Sequence, residues 1–171
     1  EIFDMLIKTL AVELSKKYCL KIYQQTNMIN FEELKKFYID HNINHELFDF
    51  NEDISNFMSR SNLCLTRAGA STLAELVFLN LPFVAIPLPT SKDNHQFENA
   101  LFYKEIGCNW ILNQNEINNK SIANKLVNII DNKDEFLVKK INMKNFSYQN
   151  SWNNINQKII SVINENRISK N

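Results

Sequence analysis

The densest chemistry in this chain lies in RAGASTLAEL, Arg67 to Leu76, which holds one of the only two glycines in 171 residues. Gly69 stands between a short apolar run, LCLT (Leu63 to Thr66), and a helix expected over Ser71 to Leu79. If the run is a strand, Arg67 to Ala70 is the turn at its carboxyl end, where open α/β sheets place their ligands. Gly69 can take a positive φ there, and its missing Cβ lets a ligand approach the backbone closely. The N–H groups of Ala70, Ser71 and Thr72 find no acceptor inside the helix and carry the positive end of its dipole. Together they form a socket for an anion such as a diphosphate. Glu75 lies one turn beyond Ser71 and three residues beyond Thr72, on the same end of the helix. Its carboxylate repels a bare phosphate but suits a vicinal diol attached to one, since it only accepts hydrogen bonds and a ribose offers two donors. An anion socket beside a diol acceptor points to a nucleotide. A plainer alternative stays open, in which Ser71 or Thr72 caps the helix and Gly69 only turns the chain.

A second group, TSKDNHQFENA, places His95 and Gln96 at the start of the next helix, after the apolar strand FVAIP (Phe83 to Pro87). That puts them on the same rim as Gly69. A Gln amide both donates to and accepts from sugar hydroxyls, although a capping histidine and an exposed glutamine fit the local pattern too. Asn99, one turn later, reads as structural. His41 and His45 are four apart, but no HExxH glutamate accompanies them, and GxSxG, Walker A and GxGxxG motifs are all lacking.

The surrounding pattern supplies the scaffold. Ile2 to Tyr18 has one broad apolar helical face. Cys19 to Gln24 alternates as a strand, and Asn30 with Glu33 fits a capping box for the helix that follows. Glu46 to Phe50 reads as a strand, Asp53 to Ser59 as a brief helix, and His95 to Ile106 as a helix that Gly107 ends in the left-handed conformation. Asn109 to Leu112 is a last strand, followed by two or three amphipathic helices over residues 118–168. Strands alternating with helices predict an α/β fold, with a parallel sheet covered by helices on both faces and a helical carboxyl-terminal tail. The element missing from that pattern is a strand and phosphate-type loop before the first helix.

Composition sets the outer bounds. Lysine plus arginine equals aspartate plus glutamate at 19 each, so no whole-chain field draws the protein to nucleic acid or to an anionic bilayer. The apolar fraction of 44% supplies a core for one domain over residues 1–171. No run approaches the roughly 18 to 20 apolar residues of a membrane-spanning helix. Cys19, Cys64 and Cys108 show no metal-binding spacing and read as buried, reduced thiols of a cytosolic protein. The chain opens on Glu1, already in a helical pattern, and so reads as the later part of a longer chain.

RAGASTLAEL, NLPFVAIPLP and DNHQFENA together resemble the donor-binding half of the MurG family, the bacterial peptidoglycan N-acetylglucosaminyltransferases that convert lipid I to lipid II. The resemblance runs with high specificity from about Phe50 to Leu112. It implies a Rossmann-like carboxyl-terminal domain of a two-domain GT-B glycosyltransferase that binds UDP-N-acetylglucosamine. Carried onto this sequence, Ala70, Ser71 and Thr72 hold the diphosphate and Glu75 the ribose hydroxyls, with Gly69, Leu73 and Ala74 also among the residues that bind UDP-N-acetylglucosamine. Gln96 with His95 meets the sugar ring, and Asn51 contacts uracil through its backbone. The family's glycine-rich loop and its amino-terminal acceptor domain have no counterpart in the chain, and the catalytic base is expected in that domain. No metal constellation is visible in the sequence and a helix dipole can replace a cation, so metal-independent transfer without a cofactor is expected; the resemblance further implies a lipid I acceptor and peripheral attachment to the cytoplasmic face of the inner membrane. The chain alone is then expected to be inactive. Two alternatives remain: the catalytic subunit of a split GT-B transferase with another lipid-linked acceptor, and a non-enzymatic α/β interaction domain.

Overall fold

A computed structural model describes residues 2–50, 53–114 and 119–168. Helix α1 (Ile2–Ser15) is followed by strand β1 (Lys21–Gln25), α2 (Met28–Asp40), β2 (Asn44–Phe48), α3 (Ile54–Ser59) and β3 (Cys64–Thr66). Then come α4 (Ala70–Phe78), β4 (Phe83–Ala85), a 3₁₀ turn (Lys92–Asn94), α5 (His95–Glu105) and β5 (Asn109–Ile111). The helices α6 (Asn119–Asp131), α7 (Lys133–Gln149) and α8 (Trp152–Ile168) close the described chain. All strand pairs are parallel, as alternating strands and helices require. They do not form the single sheet expected from the sequence. β1 pairs with β2 in one sheet, and β3, β4 and β5 form another in that order, so β1 and β3 each keep one edge unpaired among the described residues.

Three helices end in the same way, and each ending feeds a strand. After α2, α4 and α5 the chain turns through a left-handed residue: Asn42 (φ 52°), Asn80 (φ 55°) and Gly107 (φ 74°). In each case the next N–H reaches back five residues, from Ile43 to Tyr38 O, from Leu81 to Leu76 O and from Cys108 to Tyr103 O. These are Schellman turns, and the residue that follows the left-handed one is buried each time. Asparagine tolerates this conformation better than other side chains, so a chain with two glycines builds two of these turns from Asn. Gly107 is required where it stands. Its φ is positive, and a Cβ there would run into the side chain of Asn142, which donates to Gly107 O at 3.2 Å.

The start of α2 corrects the sequence reading. Asn27, not Asn30, is the N-cap, and its side chain accepts from Asn30 N at 3.0 Å. The first turn of α2 leaves Met28 and Ile29 exposed, so apolar periodicity placed the helix too late. Glu33 does not close a capping box; it pairs with Lys8 of α1.

β4 is the centre of the larger sheet, and its residues alternate between two cores. Phe83 and Ala85 face a cluster with Leu73, Leu76, Val77, Ala100 and Met143 of α4, α5 and α7. Val84 and the following Ile86 face Leu6, Leu10, Ile122 and Leu126 of α1 and α6. Helices therefore cover both faces, as expected. A third cluster joins Ala11 of α1 to Leu34, Tyr38 and Ile43 around α2 and β2. α6 and α7 complete the two cores, and α8 runs on past them as the expected helical tail. The cysteine expectation needs a correction: all three are free, but only Cys108 is buried, Cys64 is partly covered and Cys19 is exposed.

Candidate functional site

Because β3, β4 and β5 are parallel, their carboxyl ends share one edge, and the segments leaving β3 and β4 meet there. Gly69 is the N-cap of α4, with φ −69° and ψ 135°. This is ordinary extended backbone, so the positive φ expected of it is not used. A Cβ at this position would meet only Thr72 Oγ1, at 3.8 Å. Neither backbone strain nor internal crowding explains the glycine. The open space above the first turn of α4 is what its missing side chain leaves.

The first bond closing α4 runs from Leu73 N to Gly69 O, at 3.0 Å. Upstream of it, the N–H groups of Ala70, Ser71 and Thr72 make no hydrogen bond with any described residue. Gly69 has no side chain to cap them, and neither Ser71 Oγ nor Thr72 Oγ1 does so. The capping alternative is therefore not what the fold contains. Ala70 and Ser71 are exposed, so three oriented amides at the positive end of a nine-residue helix face outward. Glu75, one turn along, is exposed too, and its carboxylate has no partner among the described residues. Leu73 turns the other way. Its side chain is fully buried and its N–H bonds to Gly69 O inside the helix. Ala74 is exposed on the outer side of the same turn.

α5 brings the second predicted group to this edge. Gln96 Oε1 accepts from Ala68 N at 3.3 Å and from Leu88 N at 2.9 Å, bridging the segments that leave β3 and β4. Asn99 Nδ2 donates to Ala68 O at 3.0 Å. With Gln96 Oε1 committed to backbone, only its Nε2 remains to meet a ligand, and it offers donors alone. His95 is exposed, with Nδ1 2.6 Å from Lys92 O. The turn before it passes through two left-handed residues, Asp93 (φ 50°) and Asn94 (φ 55°). Asn51 lies outside the described residues. His41 and His45 are not on one helix face: the first ends α2 and the second is on β2.

Two features escaped the sequence reading. Arg67, between β3 and Gly69, donates from Nη1 to Ile86 O at 3.1 Å, and its guanidinium lies 4.6 Å from the ring centre of Phe3 in α1. Partial burial lowers its pKa from the ordinary arginine value, opposed by the charge of Asp4. The second is a cavity of 320 Å³ lined by Asp4, Gln25, Thr26, Asn27, Asn30 and Asp49, at the carboxyl ends of β1 and β2. The polar run QTN directly after a strand was the available signal for it, by the same rule that singled out the β3 exit.

The profile of the glycosyltransferase family 28 C-terminal domain matches residues 1–159. The UDP-N-acetylglucosamine–N-acetylmuramyl-(pentapeptide) pyrophosphoryl-undecaprenol N-acetylglucosamine transferase of Pelagibacter ubique (strain HTCC1062) is 67% identical over 166 residues, covering 97% of this chain and 47% of the relative. The protein of the same name from Rickettsia bellii (strain RML369-C) is 37% identical over 113 residues, covering 66% of this chain and 32% of the relative. The crystal structure of Acinetobacter baumannii MurG superposes with a TM-score of 0.73 at 25% identity, covering 84% of this chain and 41% of that one. The chain thus spans less than half the length of these three proteins. With its parallel sheets, its covering helices and its open α4 amino terminus, the chain belongs to the glycosyltransferase family 28 C-terminal domain family.

Proposed function

We propose that this chain is the donor-binding half of an inverting N-acetylglucosaminyltransferase that makes lipid II from lipid I in peptidoglycan synthesis. It holds UDP-N-acetylglucosamine at the carboxyl edge of β3 and β4. One observation carries the reading: three amides at the start of α4 and the Glu75 carboxylate on the same helix end make no hydrogen bond or ion pair among the described residues. Similarity to relatives named for this transfer supports it.

In the proposed reaction the acceptor's C4 hydroxyl attacks the anomeric carbon from the face opposite the nucleotide. The bond from that carbon to the β-phosphate oxygen breaks, and UDP leaves with the electron pair. Negative charge grows on the β-phosphate, so fixed amides at Ala70, Ser71 and Thr72 stabilise the transition state more than the bound donor. Glu75 accepts from the ribose hydroxyls, and Gln96 Nε2, with His95 beside it, donates to the sugar. These groups orient the donor for attack. Asn51 contacts uracil through its backbone. The base that takes the hydroxyl proton belongs to an acceptor half, which also supplies the peripheral contact with the cytoplasmic face of the membrane. No described helix is long and apolar enough to cross a membrane.

Titration of UDP-N-acetylglucosamine against the chain, followed by calorimetry, tests this. Millimolar or tighter binding that is weakened in Glu75→Ala and unchanged by EDTA supports the reading, and no transfer to a lipid acceptor is expected from the chain alone. Silence toward every uridine nucleotide would leave an α/β interaction domain as the better description.

A further inference from the structure

The turn between β3 and α4 is held from outside by a helix that follows it by more than twenty residues. Ala68 is fully buried, yet both of its backbone groups are bound by side chains of α5. Its N–H goes to Gln96 Oε1 and its C=O receives Asn99 Nδ2. The Ala68 carbonyl shares a rigid peptide plane with the Gly69 N–H. Fixing that plane fixes the direction in which the chain enters α4, and so the aim of the three amides that follow. Gly69 contributes no side chain to steady this entry, and no side-chain cap is present.

We propose that Asn99 is a positioning residue for the diphosphate: by gripping Ala68 O it sets the Ala68–Gly69 peptide and so the aim of the Ala70, Ser71 and Thr72 N–H groups. Asn99 acts through the backbone, and its effect reaches the phosphates rather than the sugar. This rests on the donor-site reading above.

The test compares affinities of the wild-type chain and Asn99→Leu, which keeps the branched shape and removes the donor, for UDP and for UDP-N-acetylglucosamine. Loss of one net hydrogen bond's worth of order predicts that both ligands weaken by the same factor, about three- to tenfold. The amide resonances of Ala70, Ser71 and Thr72 in the ligand-free chain are expected to shift as well, and their N–H orientations, read from residual dipolar couplings, to change, which a merely stabilising contact would not cause. Asn99→Ser removes the same bond with a small polar side chain and is expected to behave alike if the leucine variant folds poorly. A loss confined to UDP-N-acetylglucosamine would mean that Asn99 touches the sugar directly and would overturn the proposal. So would unchanged affinities alongside unmoved amide resonances. Wild-type chain that binds neither nucleotide would instead bring down the donor-site reading, and this inference with it.

Discussion

Gly69→Ala and Gly107→Ala, the two glycine-to-alanine changes this chain permits, are expected to have opposite consequences. At Gly107 the backbone has φ 74° and an added Cβ runs into Asn142. The left-handed conformation costs a non-glycine residue about 1–2 kcal/mol, and displacing the Asn142 bond to Gly107 O adds about 1 kcal/mol. Gly107→Ala should therefore destabilise the fold by about 2–3 kcal/mol. At Gly69, φ −69° and ψ 135° suit alanine, and the new Cβ meets only Thr72 Oγ1, at 3.8 Å. Reduced freedom of the unfolded chain favours alanine there by about 0.4–1 kcal/mol. The poorer record of alanine as an N-cap opposes this by a similar amount. The net change in stability should fall within about 0.5 kcal/mol, while a methyl group projecting over the amide socket weakens UDP by about tenfold or more, or 1.4 kcal/mol. Urea denaturation and calorimetric titration of both variants measure the two quantities separately. If Gly69→Ala bound UDP within twofold of the wild type, the glycine would not serve ligand approach and the reasoning would be wrong.

Two further outcomes follow from the same geometry. Glu75→Gln should weaken UDP by about tenfold, the scale of a charge-assisted hydrogen bond, yet change the affinity for 2′-deoxy-UDP far less; equal losses for both nucleotides in a calorimetric titration would remove the ribose from the account. Burial pushes the Cys64 thiol up to about 12 and the Cys108 thiol up to about 11, both from an ordinary 9.0, while Cys19 is exposed. A thiol held protonated by the fold stabilises it fully below the unfolded-state value, so stability should fall as pH rises from about 9 toward 11–12. Native chain at pH 8 should take one alkyl group by mass spectrometry, on Cys19, against three in urea.

Most of the architecture was legible because it follows from periodicity and turn chemistry. The alternation of strand and helix required parallel pairing, and Gly107 after Ile106 marked a left-handed helix end. The division into two sheets was not legible, since pairing between β1 and β3 is a long-range property that no local pattern encodes. Asn42 and Asn80 were hidden by abundance: in an asparagine-rich chain, a left-handed Asn looks like any other. At the site, the α4 start and Glu75 could be read because i, i+3 and i+4 spacing fixes which residues share a helix end. The commitment of Gln96 Oε1 to two backbone amides could not, because it depends on a tertiary contact with Ala68, 28 residues away. Gly69 was placed correctly and explained in part wrongly, as its backbone needs no left-handed turn.

In the proposed complex the pyrophosphate of an activated sugar rests on the first amides of α4. Amide NMR of the isotopically labelled chain during a UDP titration tests it most directly. The N–H groups of Ala70, Ser71 and Thr72 are expected to show the largest shifts and to gain protection from exchange at saturation. Saturation that leaves those three amides unmoved and shifts Asn62, Leu81 and Cys108, at the opposite edge of the sheet, would contradict it.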